Sequence, residues 1–207
     1  MSARIQKIRE RIQKIVGVND STVTPVDIDD ALNDIQRNIA QKTLCLETTG
    51  TLTVTAGTAS EPTGFFRLKY IQLPDNTLIF PKEVDAREFD NLQRVLFTNI
   101  STTVQFYKHW DGTFTFFPNP GTTTYTVYYY ALPTTTISES VDPEIPEYMD
   151  EALMYGALSQ ILLYKNDADN FARADKYAKL FDDQLNLMEK MWRKSKTNSN
   201  EVYYQDV

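Results

Sequence analysis

The chain is poor in the residues that most often carry chemistry. It has one cysteine, Cys45, and one histidine, His109. A single cysteine excludes an internal disulfide framework and fits a reducing compartment. Two such residues are too few for a metal site built on His and Cys. With no histidine near Cys45 in sequence, a Cys–His nucleophile is disfavoured. The seven glycines (17, 50, 57, 64, 112, 121 and 156) are scattered. They build neither a P-loop nor a dinucleotide-binding fingerprint, and an EF-hand loop lacks its glycine. No GxSxG elbow occurs. The N-terminal segment is basic without a continuous apolar stretch or a small-residue cleavage site, so no signal peptide is expected. No apolar run is long enough for a membrane span.

Basic charge is also scarce overall. The net charge is −7 and the sequence pI is near 4.8, which argues against generic binding to a phosphate backbone. What basic charge there is lies at the two ends. Residues 1–16 carry Arg4, Lys7, Arg9, Arg11 and Lys14 against Glu10, and 189–196 carry Lys190, Arg193, Lys194 and Lys196 against Glu189. An aromatic content of 12% argues against disorder.

The most informative stretch is PEIPEYMDEALMYGALSQILLYKND, residues 143–167. Between Glu151 and Lys165 it holds no charge, about four turns of helix apolar nearly all round, and such a helix must be buried. Its small residues Ala152, Gly156 and Ser159 form a seam that admits a close neighbour. A long helix over 168–195 is expected to follow a tight connection at Asn166-Asp167, with Phe171, Ala174, Ala178, Phe181, Leu185, Met188 and Trp192 stepping by three and four. Together the two are expected to form an αα-hairpin.

At the other end, Ile5, Ile8, Ile12 and Ile15 make a narrow stripe on a basic helix. The stripe packs either on its own fold or on a neighbouring subunit, and residue spacing does not choose between them. A second helix opens with Thr24 as N-cap, Pro25 at N1 and Asp27 at N3. From Thr48 the hydrophobic period becomes two, and strands are expected near 51–56, 65–73, 77–81, 102–109, 113–118 and 124–132. Asp111-Gly112 is the best hairpin turn, of type I′. The segment EVDAREFDNL reads as a short helix or turn.

The expected fold class is α+β: a helical domain, comprising the N-terminal helices and a long C-terminal αα-hairpin, with an inserted small antiparallel β module. The expected divisions are 1–47 (N-terminal helices), 48–140 (β module), 141–196 (helical hairpin packing with 24–47) and 197–207 (a docking tail).

Candidate chemistry is thin. His109 beside Trp110 has a chemical reading as base or ligand, and an ordinary one as a strand residue with a hydrogen-bond partner; the ordinary one is preferred. Asp27, Asp29, Asp30 and Asp34 have the composition of a hard-cation site, but most fall where a helix dipole favours acids anyway. No catalytic, cofactor or metal residue is assigned. Binding features are better represented. Tyr125-Thr126-Val127-Tyr128-Tyr129-Tyr130 carries aromatics on both faces of one strand, and Val202, Tyr203 and Tyr204 stand in a polar tail.

The succession VDIDDALNDIQRNIAQKTLCLE, FRLKYIQL, YKHWDGTFTFFPNPGTTTYTVYYYALPTTT and IPEYMDEALMYGALSQILLYKNDADNFARADKYAKLFDDQL resembles the head–tail adaptor (connector) proteins of tailed bacteriophages, particularly short-tailed ones, over residues 24–195. The basic first helix and the aromatic tail have no counterpart in that resemblance. It implies a structural virion protein at the neck rather than an enzyme, made in the host cytoplasm. The implied assembly is a dodecameric ring that joins portal to tail, extends the DNA channel without binding DNA specifically, and helps to retain the genome. It has no cofactor and no membrane partner. On that reading Trp192, Arg193, Val202, Tyr203, Tyr204 and Val207 are candidates for contact with the portal or a neighbouring subunit. Asp111 and Gly112 would face the tail protein (nozzle or hub), and Ile5, Ile8, Ile12 and Ile15 would pack between subunits. The alternatives are a virion-associated hydrolase using two carboxylates on cell-wall glycan, and a tail-completion protein that does not bind the portal.

Overall fold

The computed structural model describes residues 3–17, 23–95, 103–165 and 168–198. The chain divides into two compact units, Met1–Cys45 with Thr135–Val207, and Leu46–Thr134.

The first unit is helical. It contains α1 (Ala3–Val16), α2 (Pro25–Thr43), a 3-10 turn (Glu147–Met149), α4 (Asp150–Tyr164) and α5 (Ala168–Asn198). The start of α2 follows its sequence signal: the Thr24 hydroxyl accepts from the Asp27 N–H, and the Asp27 carboxylate accepts from the Thr24 N–H at 2.7 Å. The Thr24 hydroxyl also donates to the Asp27 carboxylate at 2.7 Å, and this bond first and the Thr24 N–H second hold the Asp27 carboxyl below its ordinary pKa. The helix ends where Leu44 takes φ 53° and its N–H donates to the Ala40 carbonyl.

Helix α4 is the hub. Ala152, Leu153, Ala157, Leu158, Ile161 and Leu162 are buried, and α1, α2 and α5 all pack on it. The small-residue seam is used at one point. A Cβ on Gly156 would lie 2.6 Å from Ile35 Cγ2 of α2, so only glycine admits that side chain. The Ser159 hydroxyl instead donates to the Gly156 carbonyl of its own helix.

The irregular segment that leads back into this unit, residues 135–146, is fastened by side chains from α1 and α2. Asn33 brackets Ile137, accepting its N–H at 2.7 Å and donating to its carbonyl at 3.2 Å. The Gln36 side-chain carbonyl accepts the Glu144 N–H at 2.6 Å. Ile137 and Ile145 thereby enter the helical core.

The second unit holds β1 (Glu47–Val54), β2 (Thr58–Ser60), β3 (Phe65–Gln72), β4 (Leu78–Ile79), β5 (Lys82–Glu83), α3 (Ala86–Val95), β6 (Phe106–Trp110), β7 (Thr113–Phe117) and β8 (Thr123–Ala131). They form two four-stranded sheets, ordered β1-β8-β3-β4 and β2-β7-β6-β5. The ribbon crosses from one sheet to the other at Thr55–Thr58, where Ala56 and Gly57 both have positive φ. Leu52, Val54, Ile71, Phe114, Phe116, Tyr125, Val127 and Tyr129 make the core.

The expected fold class therefore needs correction. The described residues contain five helices and two sheets, not helices with one small antiparallel module. One pair, β5 with β6, is parallel, Lys82 opposite Phe106 and Glu83 opposite Tyr107. A parallel pair needs a long crossover, and the connection between these strands carries α3, anchored by buried Phe89. Nor do the described residues show a long C-terminal αα-hairpin. The 15-residue α4 is a centre surrounded by three helices, the 31-residue α5 is twice its length, and the connection at Asn166-Asp167 lies outside the described residues.

Candidate interaction surfaces

The stripe of α1 is spent within the chain's own core. Ile5, Ile8 and Ile12 are 0%, 5% and 0% exposed, and Ile15 packs at the edge of the same cluster. Two of the five basic residues are also committed internally. Arg4 donates to both carboxylate oxygens of Asp150 and to the carbonyls of Pro143 and Ile145. Arg9, buried, pairs with Asp29 and lies 3.8 Å from Glu139. Lys7, Arg11 and Lys14 remain exposed on the other face of the helix.

The hairpin turn falls where the sequence places it. Asp111 has φ 47° and Gly112 φ 69°, the left-handed pair of a type I′ turn between β6 and β7. Its tip is braced by residue 61: the Glu61 N–H donates to the Gly112 carbonyl at 2.8 Å, and the Glu61 carboxylate meets His109 Nε2 at 2.8 Å. His109 also packs against Phe65 and Phe114. Its place is structural, a strand residue that ties the hairpin to a neighbouring segment. Trp110, beside the turn, is 79% exposed. Gly112→Ala should lower stability by about 1–2 kcal/mol, because a Cβ is strained at that φ, while Asp111→Asn should change it by less than about 0.5 kcal/mol. Denaturant midpoints of the two variants check this.

The strand with aromatics on both faces uses one for the core, through Tyr125, Val127 and Tyr129. On the other, Tyr128 stacks on Tyr70 with ring centroids 4.4 Å apart, and Phe80, 66% exposed, lies 5.6 Å from Tyr70. Tyr107 is held protonated by burial first and by the charge of Glu83 second; its hydroxyl donates to that carboxylate at 3.0 Å.

Trp192 and Arg193 fall in the last turns of α5. Val202, Tyr203, Tyr204 and Val207 lie outside the described residues. Burial pushes the Cys45 thiol above its ordinary pKa, which makes it less reactive rather than more. No cluster of three or more His, Cys, Asp or Glu with metal-binding geometry occurs among the described residues. None of their helices is long and apolar enough to cross a membrane.

The SU10 adaptor protein family model matches residues 3–203. The chain belongs to the SU10 adaptor protein family. It is thus a structural adaptor of a bacteriophage, a component of the virion's head–tail neck. No curated protein matches it. The match takes in α1 and reaches Tyr203, segments for which the sequence resemblance offered no family counterpart. Sequence reading missed Arg4, Asn33 and Gln36. These polar residues decide how α1 and the returning segment are held, and their partners are more than a hundred residues away in sequence.

Proposed function

We propose that this SU10 adaptor assembles as a ring of twelve copies that joins the portal to the tail and extends the DNA channel, helping to retain the packaged genome. The family match over residues 3–203 carries the reading. The net charge of −7 supports it, since an acidic subunit repels DNA that must pass without sticking. A ring requires a heterologous interface that closes by rotation, two different patches on each copy. The end of α5 (Trp192, Arg193) and the tail residues Val202, Tyr203, Tyr204 and Val207 reach the portal or the next subunit. The turn at Asp111-Gly112, with exposed Trp110 beside it, faces the tail protein.

The test is the mass of the purified chain, alone and mixed with its cognate portal. The expected result is a 23.8 kDa species alone and, on the portal, an added mass of about 286 kDa, twelve copies. A chain that stays monomeric in the presence of the portal would overturn the reading. If truncation after residue 196 left portal binding unchanged, the role given to the tail would be wrong.

A further inference from the structure

We propose that the contact between neighbouring copies is an antiparallel pairing of α1 from one copy with α2 of the next, in the register Lys7 with Asp34, Arg11 with Asp30 and Lys14 with Asp27. The inference rests on the ring reading and names the two patches that such a ring needs.

Three observations carry it. The first is the set of charges that α1 and α2 leave outside. Arg4 and Arg9 are bound to Asp150 and Asp29, whereas Lys7, Arg11 and Lys14 are exposed and make no ion pair among the described residues. On α2, Asp29 is taken by Arg9, whereas Asp27, Asp30 and Asp34 are exposed and likewise make no ion pair there.

The second is spacing. The basic residues step by four and then three along α1. Read backwards, Asp34, Asp30 and Asp27 also step by four and then three. Each series lies on one face and spans two turns, about 10 Å, so antiparallel helices bring all three pairs into register at once. A parallel arrangement would match only the outer two.

The third is the shape and chemistry of the receiving face. Asp27, Asp30, Ala31 and Asp34 border a groove of about 330 Å³ whose other side is Ile161 and Tyr164 of α4. An acidic rim over apolar walls suits lysine and arginine, which lay their aliphatic stems on apolar surface and carry the charge at the tip. Tyr164, 85% exposed, offers a ring face to a cation. Lys165 also borders the groove and has its own partner within the chain.

The two series line different clefts of one copy. Lys7 and Arg11 share a cleft with Asp142, Glu147 and Asp150 at the start of α4, whereas the acidic groove lies at its end, beside Ile161 and Tyr164. Asp142 and Asp150 in that cleft are already bound, to the Ile5 N–H and to Arg4. A basic face and a different, acidic face on each copy make a head-to-tail contact, the kind that builds rings.

Charge reversal tests the pairing. One full-length variant carries Lys7→Glu and Arg11→Glu; the other carries Asp30→Lys and Asp34→Lys, with Asp27 kept because it caps α2. Assembly is followed by sedimentation and native mass spectrometry, with and without the cognate portal, and circular dichroism confirms that each variant folds. Each variant by itself should assemble on the portal at least about tenfold more weakly than the wild type, since like charges then face one another. Mixed in equal amounts they should recover wild-type assembly with the two variants at 1:1, because every contact in an alternating ring is again between opposite charges. If the wild type assembles and the variants do so equally well, or the mixture fails to recover, the pairing is wrong and the ring reading stands. If the wild type never assembles, alone or on the portal, both fall together.

Discussion

Gly156→Val is expected to destabilise the helical unit by about 3 kcal/mol, a fall of roughly 6–12 °C in the thermal midpoint for a chain of this size. The atom that a new Cβ would strike is Ile35 Cγ2 at 2.6 Å, with Cδ1 at 3.0 Å and Cγ1 at 3.1 Å behind it. Cγ2 is not the free end of a flexible side chain. It is fixed to the branched Cβ of a residue inside a helix, where isoleucine holds essentially one χ1 rotamer. Relief would therefore require α2 to move away from α4, opening a core in which Ile35 is 4% exposed. The intrinsic gain from removing a helical glycine is about 1 kcal/mol at most and does not offset this. A second variant isolates the cause. Ile35→Ala alone should cost about 2–5 kcal/mol. If the clash is with that side chain, Gly156→Val in the Ile35→Ala background should cost little more. A double variant as unstable as the sum of the two singles would place the clash elsewhere.

How much of this arrangement is legible in the sequence depends on the distance over which each feature is decided. The start of α2 is local: Thr24, Pro25 and Asp27 suffice, and the capping box forms as those residues predict. The β6–β7 turn is equally local, since Asp-Gly between aromatic strands selects the type I′ geometry seen at Asp111 and Gly112. The burial of α4 follows from its lack of charge. The division into two sheets is not legible, because the outer strands of the second are too short to display a period, three residues in β2 and two in β5. The turn at Ala56-Gly57 was missed too, since alanine gives no signal for positive φ. The parallel β5–β6 pair depends on a crossover that no local pattern announces.

For the interaction surfaces the limit is of another kind. The isoleucine stripe of α1 announces that the helix packs on something, and says nothing of whose surface that is. The answer lies in polar residues that read as ordinary surface: Arg4, Arg9, Asn33 and Gln36, each matched to a partner by the folded chain. Once Arg4 and Arg9 are recognised as internal, the basic character of α1 reduces to Lys7, Arg11 and Lys14. Only then does their register against Asp27, Asp30 and Asp34 become visible.

The same residues give the second large effect. Arg4→Met is expected to cost about 2–3 kcal/mol, with α1 loosened first. The guanidinium of Arg4 uses its planar fork in full: Nη2 lies 2.6 Å from Asp150 Oδ1 and 2.8 Å from the Ile145 carbonyl, and Nη1 lies 2.9 Å from the Pro143 carbonyl. One side chain thus satisfies a carboxylate at the first turn of α4 and two carbonyls of the segment leading into it. Methionine keeps the aliphatic stem, so the loss reports the polar contacts rather than packing. The side chains of Arg4 and Asp150 are 16% and 28% exposed, which lets water replace part of what is removed and holds the cost below that of a fully buried pair. Arg4→Lys should recover less than half, because one ammonium cannot reach the carboxylate and both carbonyls at once. Amide exchange separates this from general destabilisation: protection should fall along α1, whose length is 14 residues, before it falls in α4. If α1 and α4 lost protection together in Arg4→Met, the two helices would be one cooperative element held by the isoleucine stripe, and Arg4 would not be the clasp.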